Sequence, residues 1–513
     1  MDVRHCDTLV LGAGTAGCVV AARLAAAGRE RVTLVESGPD YGPRGGGRWP
    51  AALLAWGTLV ASHDWGYYAD PGNGVPGIWL QRGRVIGGSS SVNACGLYWG
   101  TRADFDAWAA LGNPGWGYDD LLPYLQRVED DPAGPGAQHG RGGPVRVYRV
   151  AEADLNPLQR AYLEACTALG YPWLPDVNDG SGRPGIGILP KSVEGDVRCT
   201  SAFAYLDPVR ARLTVLADHL VDRLRWQGDR AAGAVLLGPD GQVEVAAERV
   251  VLAAGVFGTP AILQRSGIGP PDWLRALGLT RLHPLPGVGE NLLDHPGAVV
   301  ELAAEPTAYA ALGALEARGA LAGSEVVLRG QADPAADHYD LHGLLYGTWQ
   351  PPGDPLYGRY RLILYAMRPR SRGSVAIRSL DPKAPPLIRP NYLSDPADVA
   401  TLVAAVRLAR AIAAQPALDE VITGVLAPDA ATRSDDDLAA FARRSLRTFN
   451  HSAGTCRLGP ADDPLAVAGP DGRVHGFANL YVADASLMPR LPSVATNHTT
   501  FAIAEKIAAG LLE

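Results

Sequence analysis

Between Cys6 and Gly38 the chain runs through an apolar strand, a glycine turn, a helix, a second strand and a terminal acid, and few folds accommodate that order. Thr8, Leu9, Val10 and Leu11 form a run short and branched enough for a fully buried strand. Gly12-Ala13-Gly14-Thr15-Ala16-Gly17 follows, and the Ala/Val/Leu-rich stretch Cys18 to Ala27 predicts a helix ending at Gly28. Val32 to Val35 predicts the next strand, which stops on Glu36. This is the spacing of a dinucleotide-binding unit. Gly12 permits the tight turn, Gly14 lets the backbone approach a pyrophosphate, and Gly17 lets the helix lie close on the strand. The pyrophosphate would rest on the unpaired N–H groups and positive end of the helix starting near Thr15. Glu36 would accept hydrogen bonds from the ribose of an adenosine. This stretch alone does not choose between NAD and FAD.

A chain of 513 residues predicts two domains rather than one core. Its 47% hydrophobic and 19% charged residues are those of a globular protein. A net charge of −8 without a basic run argues against nucleic acid and anionic membranes as partners. No apolar run reaches the roughly 18 residues that span a bilayer. No charged leader precedes an apolar segment, so the expected location is the cytoplasm. Cys6, Cys18, Cys95, Cys166, Cys199 and Cys456 lie far apart with no C-x-x-C pair, as free thiols in a reducing compartment would. His338 and His342 are four apart, but no acids are arranged around them and the context reads as loop, so no metal site is expected. His295 reads as structural, and His139 and His475 as surface or loop residues.

A second group of small and hydroxyl residues, Arg84 to Asn93, lets backbone pass close to a flat ring. R-G-R-V-I-G-G-S-S-S-V-N at Arg82 to Asn93 is followed by Asp104-Phe105-Asp106-Ala107-Trp108 and Gly112-Asn113-Pro114-Gly115-Trp116. Further on come Gly255-Val256-Phe257-Gly258-Thr259-Pro260, Gly287-Val288-Gly289-Glu290-Asn291-Leu292 and Asp294-His295-Pro296. Near the end stand His451-Ser452-Ala453-Gly454-Thr455-Cys456-Arg457 and Val482-Ala483-Asp484-Ala485-Ser486. In this order the blocks resemble the glucose–methanol–choline (GMC) flavoprotein oxidoreductases, of the bacterial choline or alcohol dehydrogenase-like kind.

The resemblance implies FAD and an α/β, Rossmann-like FAD-binding domain of the GMC type built from residues 1–99, 198–291 and 451–513. Residues 100–197 and 292–450 would form an α+β substrate domain with an antiparallel sheet, to which segments such as Gly373 to Arg378 belong, and Asp398 to Ala413 reads as an amphipathic helix. The implied cofactor contacts are Gly12, Gly14, Thr15, Ala16, Gly17, Glu36 and Ser37, then Val85, Gly88, Ser89, Asn93, Ala94, Cys95 and Gly96. Val221, at the end of a strand Val215 to Val221, Ala254, Asp484, Ala485 and Asn497 complete the set. Members with covalent flavin can carry a histidine in the small-residue loop where this chain has Val92, which implies non-covalent FAD.

Removing a hydride from an alcohol carbon needs a base for the hydroxyl proton, and His451 occupies the family's catalytic position. Members usually carry a second His or Asn facing the same oxygen; the matching residue here is Ala495, which neither donates nor accepts. Asn497 and His498 are the nearest replacements. The expected reaction partners are a small-molecule alcohol and, as electron acceptor, O2 or a redox protein. The loops from about Pro296 to Pro352 carry few charges, which favours a neutral, partly apolar or aromatic alcohol. Ala495 also fits two other uses of the scaffold: non-oxidative chemistry of the hydroxynitrile-lyase or fatty-acid-photodecarboxylase kind, or a catalytically silent flavin-bearing binding protein.

Overall fold

Leu9, Val10 and Leu11 are all fully buried, and a strand without a polar face has to sit inside a covered sheet. In the computed structural model, which describes residues 4–57, 59–280, 282–316, 323–347 and 349–513, β1 (Arg4–Leu11) does so. β1 lies parallel to β2 (Val32–Val35) on one side and to Gly241–Leu252 on the other. Thr214–Leu216 extends the parallel sheet beyond β2, and Leu480–Val482 runs parallel to the end of Gly241–Leu252. Helix α1 (Thr15–Ala27) crosses between β1 and β2 and ends in the left-handed Gly28. Gly12 has φ +105, and a Cβ on Gly17 would be driven into the Gly12 carbonyl, so both glycines are required by the turn.

The single strand expected over Val215 to Val221 is two. Asp218, at φ +56, turns the chain between Thr214–Leu216 and Leu220–Gln227, and the latter joins an antiparallel meander with Arg230–Gly238 and Gly241–Leu252.

The second large sheet has the order Ile422–Ala427, Pro296–Ala304, Arg359–Ala366, Leu341–Tyr346, Val326–Gly330, Gly185–Ile188, Trp173–Leu174. Its neighbours run antiparallel except for the last pair, so the sheet is mixed. Ser374–Ala376 stands apart from it, in a two-stranded ribbon with Leu387–Arg389. The helix expected from Asp398 starts at Pro396, where Asp395 caps it by accepting from the Ala397 N–H, and it covers one face of the sheet. The opposite face carries Tyr98, Leu189, Leu344, Ile363, Tyr365 and Ala495 in a small core of its own.

Helices Arg102–Ala110 and Tyr118–Val128, assigned from the sequence to the substrate domain, pack in the core of the first sheet through Phe105, Trp108, Leu121 and Leu125. Tyr118–Val128 lies against the C-terminal helix Thr496–Leu512. That helix also packs on α1, held by Arg23 to the fully buried Glu505 (2.6 Å), which accepts the Tyr205 hydroxyl as well (2.8 Å). All six cysteines are free and buried, and no helix among the described residues is long and apolar enough to cross a membrane.

Two histidines depart from their sequence reading. His342 lies on the strand Leu341–Tyr346, fully buried, with neither ring nitrogen partnered. His139 is buried beneath Trp99, with Nδ1 3.0 Å from Glu129 and Nε2 2.9 Å from Asp176. Glu129, Asp131 and His139 are close enough together to hold a metal ion, but Arg149 already bridges Asp131 and Asp176, so two cations occupy the cluster. Burial opposes the charge on His139, and the hydrogen bonds to Asp176 and Glu129 outweigh it, raising the imidazolium to about 9. Its contribution to stability is therefore complete below about 6.5 and lost as pH rises through about 9. Thermal melts of the wild type are expected to fall across that window more steeply than those of His139→Gln, which removes the titration; parallel profiles would refute the assignment.

Candidate active site

Three helices of different origin begin at one place. α1 starts at Gly14 and the C-terminal helix at Ala495, and neither has a side-chain cap, so their first N–H groups stay open. Gly255–Arg265 begins beside them; its first N–H goes to Asp484 (2.8 Å), which also accepts from the Thr259 hydroxyl (2.6 Å) and the Ser486 N–H (2.8 Å). The N-termini open onto a cavity of about 1380 Å³ running between the two large sheets.

At the β2 end of the cavity Glu36 accepts from the Ala13 N–H (3.1 Å) and the Gly38 N–H (2.9 Å), and burial pushes its carboxyl up to about 7. The small-residue loop closes over α1 so tightly that a Cβ on Gly88 would meet the Gly14 Cα at 2.5 Å. Asn497 accepts from the Thr15 hydroxyl (3.3 Å), while its Nδ2 is buried without a partner beside the cavity. Open helix N-termini, a glycine cradle, an acid at the β2 end and an orphaned amide donor fit a long anionic dinucleotide.

Of the sequence-derived contacts, Gly12, Gly14, Thr15, Ala16, Glu36, Ser37, Gly88, Ser89, Asn93, Ala94, Gly96, Val221, Ala254, Asp484, Ala485 and Asn497 line the cavity. Gly17, Val85 and Cys95 do not: Gly17 is packed under Gly12, and Val85 and Cys95 are buried in the loop behind the wall. His498 is likewise outside the cavity lining; its Nε2 faces the Leu125 carbonyl (3.1 Å) and its ring lies against Trp99. Its position on the C-terminal helix turns it toward Tyr118–Val128, away from the cavity that Asn497 lines.

His451 lines the cavity, and its ring is fixed from three sides. Its backbone N–H donates to Asp294 Oδ1 (2.9 Å), as does that of His295 (2.8 Å). Asp294 Oδ2 accepts from Tyr392 (2.7 Å), Thr448 (2.6 Å) and Ser452 (3.1 Å). Phe449 lies against the His451 ring, centroids 4.0 Å apart, and stacks in turn on Tyr365 at 3.9 Å. Gly297 makes room for that tyrosine, since a Cβ there would strike its ring. Finally, His451 Nδ1 lies 2.9 Å from His295 Nδ1, which leaves Nε2 as the ring nitrogen free toward the cavity. Burial and then the neighbouring His295 hold His451 well below the usual imidazole range, and burial brings His295 down to about 3, so both rings are neutral near pH 7. The sequence marked Asp294 and His295 only as part of a turn; the partnership with His451 spans 156 residues and has no local signal.

Between them, fold and site define an FAD-dependent oxidoreductase acting on CH–OH donors. GMC oxidoreductase family models match residues 6–297 and 369–504, and the chain belongs to that family. It is 36% identical over 532 residues to oxygen-dependent choline dehydrogenase of Yersinia pseudotuberculosis, covering 98% of this chain and 93% of the relative. The protein of the same name from Paraburkholderia phymatum is 36% identical, with 99% and 92% covered. Among solved structures, pyridoxine 4-oxidase from Mesorbium loti superposes with a TM-score of 0.89 at 32% identity, covering 98% of each chain.

Asp294→Ala is expected to lower the unfolding free energy by at least about 3 kcal/mol, because several buried donors lose one acceptor together. Tyr392→Phe, which removes one of them, should cost about 1 to 2 kcal/mol. Urea titrations check both, and equal costs would show that Asp294 does not act as the common acceptor.

Proposed function

We propose that this chain oxidises an alcohol with His451 Nε2 as the base that takes the hydroxyl proton, on FAD held without a covalent bond. The observation that carries the reading is the neutral His451, locked by Asp294, Phe449 and His295 with one nitrogen free in the cavity that fits the dinucleotide. FAD supplies the hydride acceptor when bound. With His451 Nδ1–H donating to His295 Nδ1, Nε2 carries the lone pair, the tautomer that works as a base. Depressed basicity keeps the ring unprotonated at neutral pH, ready for the proton. The residues of the first core would hold FAD, and the second sheet would roof the substrate.

Ala495 places a methyl group on the cavity wall, so the second polar contact common in the family is absent at that position. The buried Asn497 Nδ2, without a protein partner, is the residue we assign to donate into the site in its place. Val92, buried in the small-residue loop, offers no nucleophile for a flavin bond. The relatives' names support molecular oxygen as electron acceptor, and six buried free thiols support a reducing compartment such as the cytoplasm.

His451→Gln is expected to retain FAD and to lower the rate of anaerobic flavin bleaching by alcohols about 100- to 10,000-fold. Unchanged bleaching in FAD-replete variant would remove His451 from the reaction.

A further inference from the structure

The cavity has a second charged region that neither the dinucleotide nor the proton transfer uses. Six cationic side chains line it against three carboxylates, Glu36, Asp484 and Glu316. Glu36 lies at the β2 end, Asp484 is engaged by Gly255 and Thr259, and Glu316 accepts from the Trp349 N–H near exposed surface. Each lining carboxylate among the described residues is therefore already engaged by protein donors.

Two of the lining cations, Lys191 and Arg361, form no ion pair among the described residues. Lys191 is 4% exposed, yet among the described residues its Nζ has no hydrogen bond and no carboxylate within 4.0 Å; it lies 5.3 Å from the Trp56 ring. Glu325, which bears on it electrostatically, is engaged by Asn156 through two hydrogen bonds. A lysine is seldom so buried with only an aromatic face beside it and no hydrogen-bonded counter-charge, because the charge loses its hydration. Arg361 lines the same wall, on the strand face it shares with Ile363 and Tyr365. It too has no ion pair among the described residues; Glu301, opposite it in the sheet, is taken by Arg359 at 2.6 Å.

The segment Gly323 to Ser324 and the strand Leu341–Tyr346 lie between the two. A Cβ on Gly323 would sit 3.5 Å from Lys191 Nζ, Ser324 bonds the Leu345 carbonyl at 3.5 Å, and the next residue, Tyr346, pairs with Arg361. Lys191, on the strand Lys191–Glu194 of a separate small sheet, and Arg361 thus line one cavity from two neighbouring elements. Leu344 and Ile363 line the apolar wall between this pair and Tyr365, whose stack leads through Phe449 to His451.

We infer that Lys191 and Arg361 form a subsite for an oxyanion, carboxylate or phosphate, carried on the far end of an alcohol whose reacting carbon lies at His451. This rests on the alcohol-oxidation reading and gives it a substrate class: an anionic alcohol with an apolar spacer. A quaternary ammonium alcohol meets two cations on this wall, while the nearby Glu301 and Glu325 are already engaged by Arg359 and Asn156.

The test uses the holoenzyme. Calorimetric titration compares octanoate, octyl phosphate and octyltrimethylammonium, and anaerobic flavin reduction compares ω-hydroxyoctanoate with octanol and choline. Octanoate or octyl phosphate is expected to bind and octyltrimethylammonium not to, the tighter of the two anions identifying the oxyacid. Lys191→Met and Arg361→Met should each weaken that binding about 10- to 100-fold and raise KM for ω-hydroxyoctanoate more than they lower kcat. Lys191→Arg, which keeps the charge, should restore binding to within a few fold. Absence of anion binding, equal binding of the ammonium compound, or unchanged affinity in both Met variants would overturn the subsite. Anion binding with no alcohol reducing the flavin would leave the subsite standing and overturn the oxidation reading instead.

Discussion

The structure depends on two helices from opposite ends of the chain lying side by side and parallel. Thr15 meets Asn497 at their first turns, and Arg23 meets Glu505 eight residues later on each, a rise of about 12 Å along both axes. Parallel neighbours bring like dipole ends together, which is unfavourable at the N-termini unless an anion sits there. The buried Glu505, bonded by Arg23 and Tyr205, holds the pair together below that point. The result is a concentrated positive end at the cavity, and it places Ala495 and Asn497 beside the first glycine turn although 480 residues separate them in sequence.

Asp294 does for the reaction end what Glu505 does for the dinucleotide end. It draws backbone from 295 and 451 and hydroxyls from 392, 448 and 452 onto one carboxylate. An imidazole fixed in this way has little freedom to find other partners, and its lone pair stays directed at the cavity. The burial that lowers the basicity of His451 also keeps it deprotonated, which in the role proposed for it exchanges basic strength for availability at neutral pH. Position then matters more than strength, and that is the quantity Asp294, Phe449 and His295 control.

What was legible in the sequence was local or carried by ordered motifs. β1, α1 and β2 follow from branched runs and glycine spacing within 36 residues, and most of the contacts expected from the first turn and the small-residue loop line the cavity, Gly17, Val85 and Cys95 excepted. Misread residues are those whose partners are distant. His139 looks like a loop residue until Glu129, Asp131 and Asp176 close around it, and His342 reads as loop because Gly330 and Ala366 must flank its strand before it is buried. His498 sits one residue from Asn497, and only the packing of the C-terminal helix on Tyr118–Val128 decides that one faces the cavity and the other does not.

Charge in the cavity belongs to the same class of property. The sequence has more acids than bases, and the stretch from about Pro296 to Pro352 reads as rich in Ala, Gly, Tyr and Trp, which favoured an uncharged substrate. Yet the sign of a site is set by which charges are left over after pairing, and pairing is decided by the fold. Arg359 and Arg361 are two residues apart on one strand; the first takes Glu301 and the second is left facing the cavity. Two chains that are 36% identical can therefore differ in the sign of the charge left over in the cavity, because a few unpaired groups set that sign while the helix pair and the Asp294 cluster set the scaffold.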